Sequence, residues 1–145
     1  MTEIIIRNEG PHALPTYATE GAAGMDIRSW LKEPVLLQPL DRIAIPTGLY
    51  LQIPEGFEGQ VRPRSGLALN FGITLLNSPG TIDSDYRGEL KVILVNLSEQ
   101  PCIIRDGERI AQLIFAKVER VSLKQEEHLS ETERGHQGFG STGLK

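Results

Sequence analysis

The chain is poor in the residues on which several kinds of chemistry depend. Among its 145 residues there are one cysteine and three histidines. Cys102 has no partner for an internal disulfide, and it sits in the apolar stretch Cys102-Ile103-Ile104-Arg105 with no histidine nearby. It reads as a small buried hydrophobe rather than a nucleophile. His12, His128 and His136 are spaced in no zinc-ligand pattern, so any metal here should be a hard cation held by oxygen. No apolar run approaches the ~18 residues a membrane span needs. The N-terminus, Met1-Thr2-Glu3-Ile4-Ile5-Ile6-Arg7, lacks the basic region and apolar core of a secretory signal, which makes the cytoplasm the expected compartment. Positive charge is also scarce. Fifteen Lys and Arg against nineteen Asp and Glu leave a net charge of −4, which argues against direct nucleic acid binding. An anionic substrate would need cations placed locally.

What the chain does have is punctuation. Fifteen glycines and nine prolines are spread along the sequence instead of collecting in one linker, the rhythm of many short strands. Between them lie apolar bursts: Ile4-Ile5-Ile6, Arg42-Ile43-Ala44-Ile45, Leu49-Tyr50-Leu51-Gln52-Ile53, Ile73-Thr74-Leu75-Leu76, Lys91-Val92-Ile93-Leu94-Val95 and Ile110-Ala111-Gln112-Leu113-Ile114-Phe115. Their period is two in nearly every case. Only Gly66-Leu67-Ala68-Leu69-Asn70 suggests a helical turn, with Ser65 as its N-cap and Gly72 as its end. At this length the pattern predicts a single all-β domain, a jelly roll, barrel or sandwich, over residues 1–122. Residues 123–145 turn polar and then glycine-rich, and read as a mobile C-terminal arm.

Two motif matches fail on context. Gly138-Phe139-Gly140-Ser141-Thr142-Gly143 satisfies G-x-G-x-x-G, but only two residues follow, leaving no room for the helix a dinucleotide needs. The stretch starting Asp83-Ser84-Asp85 opens like a calcium loop, but Arg87 stands at the fifth ligand position and Leu94 at the twelfth.

Three other stretches carry chemistry. Arg64-Ser65-Gly66 combines a guanidinium fork, a hydroxyl and an uncovered backbone at a helix start, a set suited to phosphate as well as to an ordinary turn. The arm adds Arg134, glycines with unobstructed amides, the Ser141 and Thr142 hydroxyls, and Phe139, which has no core to join and could stack on a flat base. Between them the apolar runs 73–76 and 90–95 predict a hairpin whose turn holds Asn77 and the acids Asp83 and Asp85. Asp85, beside Arg87, reads as solvated or paired with that cation; Asp83, at a strand end, could face a pocket and act on water.

Five motifs in order resemble those of the homotrimeric dUTPase family. They are Ala22-Ala23-Gly24-Met25-Asp26-Ile27, Pro63-Arg64-Ser65-Gly66-Leu67-Ala68, Gly80-Thr81-Ile82-Asp83-Ser84-Asp85-Tyr86-Arg87-Gly88-Glu89-Leu90, Gly107-Glu108-Arg109-Ile110-Ala111-Gln112-Leu113, and the arm from Arg134 to Gly143. Met25 departs from the pattern, since an aromatic is common there. The resemblance implies a jelly-roll-like β-barrel and hydrolysis of dUTP to dUMP and pyrophosphate, an activity that keeps uracil out of DNA and supplies dUMP for dTMP synthesis. It implies that Asp83 activates the attacking water. It further implies that Arg64, Ser65, Gly66, Gln112, Arg134, Ser141 and Thr142 contact the phosphates, and that Asn77, Gly80, Tyr86 and Phe139 surround the uracil and deoxyribose. Mg²⁺ is the implied cofactor, carried by the phosphates and reached by Asp26 and Gln112 through water. The implied assembly is a homotrimer with sites between subunits. A dCTP deaminase shares the fold and the Arg-Ser segment but uses a different third motif; a non-catalytic nucleotide sensor on the same fold is the reading from another class.

Overall fold

The computed structural model describes residues 2–139; Gly140, Ser141, Thr142 and Gly143 of the fifth motif lie outside the described residues. The order of elements is β1 (Ile5–Asn8), β2 (Met25–Arg28), β3 (Val35–Leu37), β4 (Arg42–Gln52), β5 (Phe57–Arg62), the helix α1 (Ser65–Phe71), β6 (Ile73–Leu75), β7 (Gly80–Ile82), β8 (Glu89–Asn96), β9 (Cys102–Ile104) and β10 (Arg109–Lys117). One four-stranded sheet runs β1-β4-β8-β6, a second runs β2-β10-β5-β7, and β3 pairs with β9. All these pairings are antiparallel. The architecture is the expected all-β jelly roll.

Period-two patterning decides which side chains meet. Leu90, Val92 and Leu94 of β8 point inward with Ile45, Leu49 and Leu51 of β4, against Ile27, Val61, Ile82 and Leu113 from the other sheet. These join one continuous core, so each strand is held by the apolar face it shares with both sheets.

Several expectations change in detail. The bursts at 42–45 and 49–53 are two parts of the single strand β4, because a bulge between Pro46 and Tyr50 absorbs the break in alternation. The hairpin of β6 and β8 is present, with Leu75 opposite Leu94. Its connection is more than a turn, however. Ile82 is buried in the core, and β7 pairs with β5, so this stretch crosses to the opposite sheet. Ser65 is the first residue of α1 and not its cap. Arg64 occupies the cap position with extended backbone (φ −95°, ψ 131°) and no side-chain cap bond, while Gly72 ends the helix at φ 65° as expected. Cys102 is half-buried at the edge of the core, its thiol pushed up mainly by burial and then by Glu108. Beyond β10 the described residues 118–139 form neither strand nor helix. Among the described residues no helix is long and apolar enough to cross a membrane.

Candidate active site

The predicted site residues fall into two groups on this chain. The first is built on neighbouring strands. Asp26 of β2, Gln112 of β10 and Arg62 of β5 stand abreast in register, with Gln112 in the middle. Residues that stand abreast on antiparallel strands share a face, so a carboxylate, an amide and a guanidinium are brought together by pairing alone. Arg64, just beyond β5, closes on this row. Its Nε lies 2.9 Å from Asp26 Oδ1. Its Nη2 lies 3.5 Å from Oδ2, and its Nη1 donates to the Arg109 carbonyl at 3.1 Å. A guanidinium has five N–H groups, so these three contacts leave two for an anionic ligand.

Gln112 is oriented by its surroundings. Its Nε2 donates to the Pro63 carbonyl at 3.0 Å, which ties β10 to the segment entering α1 and leaves Oε1 without a donor among the described residues. That oxygen lies over Gly24, where an added Cβ would come within 2.6 Å of it. The glycine of the first motif is therefore the space in which Gln112 sits. Ser65 and Gly66 are exposed at the start of α1, and a Cβ on Gly66 would meet nothing within 4 Å. Its backbone is open to an approaching ligand. The first amides of a helix have no intrahelical acceptor, so Ser65 and Gly66 offer donors here.

Arg109 is a member of this group that sequence reasoning quoted within a motif but did not single out. Its Nη1 lies 3.6 Å from Asp26 Oδ2. A bulge in β10 between Arg109 and Ala111 turns the side chain toward β2. Sequence spacing carries no trace of that bulge. With Asp26 facing two guanidinium groups, the pair Asp26 and Gln112 offers hard oxygen donors but too few for a protein cage. Among the described residues no cluster of three or more His, Cys, Asp or Glu could hold a metal. This donor set fits Mg²⁺ held chiefly by ligand phosphates and water.

The second group surrounds a cavity of about 360 Å³ between β7 and β8, lined by Asn77, Gly80, Asp83 and Tyr86 against the apolar floor of Val61, Leu75 and Ile82. The volume is in the range of small-molecule sites. An added Cβ at Gly80 would come 3.2 Å from Asn77 Nδ2, so the glycine lets the amide pack against the strand. Asp83 follows β7 directly and is exposed; it also lines a wider cavity of about 980 Å³. The loop behind it is closely tied. The Tyr86 amide donates to the Asp83 carbonyl at 3.2 Å. Arg87 Nη1 donates to the carbonyls of Ser84 at 2.7 Å and Tyr86 at 2.9 Å. Arg87 thus braces the backbone of the turn, and Asp85 is exposed, in keeping with the solvated one of its two readings.

The structure does not bring the two groups into one cavity on a single chain. Neither Arg64, Ser65, Gly66 nor Gln112 lines the cavity of Asn77 and Tyr86. Of the arm's site residues only Arg134 and Phe139 are described, and neither lines either cavity. Arg134 Nε donates to the Gln137 carbonyl at 3.0 Å, inside its own turn, and Phe139 is fully exposed.

The family model described as dUTPase matches residues 11–143. A deoxyuridine 5'-triphosphate nucleotidohydrolase of Fusobacterium nucleatum is 58% identical over 139 residues, covering 96% of this chain and 94% of that protein. One of the same name from Cytophaga hutchinsonii is 55% identical, covering 98% and 92%. Among solved structures, a mutant dUTPase of Staphylococcus bacteriophage 80alpha with dUpNHpp superposes with a TM-score of 0.84 at 26% identity, covering 99% of this chain and all of that one. A mutant dUTPase from phage phi11 of S. aureus, described as coordinating a structural Mg(II) ion, gives a TM-score of 0.79 at 24% identity over 90% of this chain and 100% of that one.

Proposed function

The chain belongs to the dUTPase family and is a dUTP diphosphatase, and from that premise we propose that it cleaves dUTP by attack of an Asp83-activated water on the α-phosphorus. The observation that carries this reading is the cavity of Asn77, Gly80 and Tyr86, which has a carboxylate, Asp83, on its wall. The water oxygen forms a bond to the α-phosphorus while the bond from that phosphorus to the α,β-bridging oxygen breaks. Asp83 takes the proton, pyrophosphate leaves, and dUMP remains. Phosphoryl transfer asks the protein mainly for position and charge stabilisation.

The remaining roles follow from where the side chains stand. Arg64, with two N–H groups unused, Ser65, Gly66 and Gln112 hold the phosphate chain, and the Ser65 hydroxyl donates to the bridging oxygen where charge grows. Asp26 keeps Arg64 aimed. Asp26 and Gln112 would help to hold Mg²⁺ with the substrate phosphates, and the ion would supply neutralisation of their charge. Uracil enters beside Asn77 and Gly80, where a thymine methyl would overfill the site at a cost of ~1–3 kcal/mol. The Tyr86 ring lies against the deoxyribose and refuses a 2′-hydroxyl. The Asn77 amide can rotate, so backbone groups around it choose uracil over cytosine.

Residues 1–122 act as the barrel and 123–145 as an arm that carries Arg134, Phe139, Ser141 and Thr142 over a site formed between subunits of a homotrimer. Support comes from the separation of the phosphate-binding group from the nucleoside cavity on one chain. The arm also has the length. Fourteen residue steps from Val121 to Gly135, at ~3.3–3.6 Å each, span up to about 46–50 Å. In the cytoplasm the reaction would remove dUTP before it enters DNA and supply dUMP for dTMP synthesis. Pyrophosphate release across dUTP, dTTP, dCTP and UTP tests the reading, with strong preference for dUTP expected. Ammonia release from dCTP would point to a deaminase instead.

A further inference from the structure

We propose that Glu89 is a positioning residue for sugar discrimination, acting through Tyr86 by fixing the carbonyl that receives the tyrosine hydroxyl. The proposal rests on the reading that the Tyr86 ring lies against the deoxyribose. Tyr86 makes two contacts that set its ring. Its hydroxyl donates to the Glu89 carbonyl at 3.1 Å. Its ring also folds over Gly88, where an added Cβ would come 2.5 Å from Cζ. A ring seated on a bare backbone and tied at its tip is only as rigid as the strand end beneath it.

That strand end is held by the Glu89 side chain. The ladder of β4 and β8 is interrupted between the pairs Pro46 with Lys91 and Tyr50 with Glu89, so β4 advances four residues while β8 advances two. Backbone amides in such a bulge lose their regular carbonyl partners. Two of these donors go to a single oxygen, Glu89 Oε1, from Gly48 N at 3.0 Å and Thr47 N at 3.3 Å, while Leu49 N donates to Thr47 Oγ1 at 3.2 Å. Thr47 Oγ1 returns a bond to the Leu90 carbonyl at 2.6 Å. Gly48 has φ 73°, and an added Cβ would come 2.7 Å from Gly10 N, so the bulge has little freedom to shift. The Glu89 side chain is 18% exposed, with Lys91 Nζ 3.6 Å from Oε2. Tyr86, Glu89 and Lys91 all line the same cavity. Excluding one hydroxyl requires a wall that does not yield, because a ring free to swing would admit the larger sugar at little expense.

A role confined to holding the bulge would lower stability without changing which sugar is accepted. The ratio of kcat/KM for UTP to that for dUTP separates the two, measured for the parent, Tyr86→Ala, Tyr86→Phe, Glu89→Ala and Glu89→Gln. Tyr86→Ala should raise the ratio. Glu89→Ala and Tyr86→Phe should each raise it about three- to tenfold, the effect of one lost hydrogen bond. Combined, they should do no more than either alone, because they cut the same link. Glu89→Gln should remain close to the parent, since its amide oxygen can accept from both Thr47 and Gly48. A parent-like ratio in folded Glu89→Ala, with Tyr86→Ala raised, overturns the proposal and leaves the Tyr86 reading standing. So does a raised ratio in Glu89→Gln. If Glu89→Ala does not fold, an unchanged ratio in Tyr86→Phe overturns the link. An unchanged ratio in Tyr86→Ala removes the sugar reading, and this proposal with it.

Discussion

Asp26 and Arg64 form an ion pair, Oδ1 to Nε at 2.9 Å, that joins β2 to the residue preceding α1 across 38 positions of sequence. Both side chains are about one-third exposed, 34% and 31%, so the pair contributes little to stability. Its consequence is orientation, holding a guanidinium in place beside Ser65 and Gly66.

Asp26→Ala should therefore lower unfolding stability by about 1 kcal/mol or less. Turnover of dUTP should suffer more, by about tenfold or greater in kcat/KM, because Arg64 loses its fixed aim and a bidentate anion contact loses its geometry. Thermal unfolding and steady-state kinetics on the same preparation check this. A large drop in melting temperature with unchanged kcat/KM would make the pair structural.

Gly24→Ala places a Cβ 2.6 Å from Gln112 Oε1 and 3.3 Å from Ile114 Cγ1. Gln112 can swing aside, so the fold should survive with a loss of about 1–2 kcal/mol, in the range of modest overpacking. In the proposed mechanism its amide would then no longer face the phosphates or the waters of Mg²⁺. The expected outcome is a raised KM for dUTP and a higher Mg²⁺ concentration for half-maximal activity. Kinetics equal to the parent's would show that the Gln112 oxygen has no part in binding.

Much of this was legible beforehand because it depends on local pattern. Period-two alternation marks Val92 and Leu94 of β8 as inward-facing, and Gly72 announces the end of α1. Asp83 stands out as an acid at a strand end, while Tyr86 is named only through the family resemblance; both line one cavity. What depends on register was hidden. That Gln112 stands between Asp26 and Arg62 requires knowing which strands neighbour β10. The turn of Arg109 toward Asp26, and the amides handed to Glu89, come from bulges, which insert residues without a composition signal. Ser65 looked like a cap because serine favours that position, but its neighbour Arg64 takes it, with extended backbone and no side-chain bond.

A complementation experiment tests whether the arm works on another subunit. Asp83→Asn chains with an intact arm are refolded together with chains truncated after Arg134 whose Asp83 is intact. Each parent alone should be nearly inactive. Mixed trimers should recover a substantial fraction of normal activity, because some sites receive Asp83 from one chain and the arm from another. Mixed trimers demonstrated by a tag, yet as inactive as both parents, would place the arm in cis.

The role of Asp83 is tested most directly by comparing dUTP binding and turnover in the parent and in Asp83→Asn. The substitution keeps the shape of the side chain and removes its capacity to accept the water's proton. Affinity for the non-hydrolysed analogue dUpNHpp should stay within about twofold of the parent's, while kcat should fall by about 10²–10⁴, the span of a lost general base. Turnover within threefold of the parent would contradict the mechanism and leave Asp83 a structural residue of its loop.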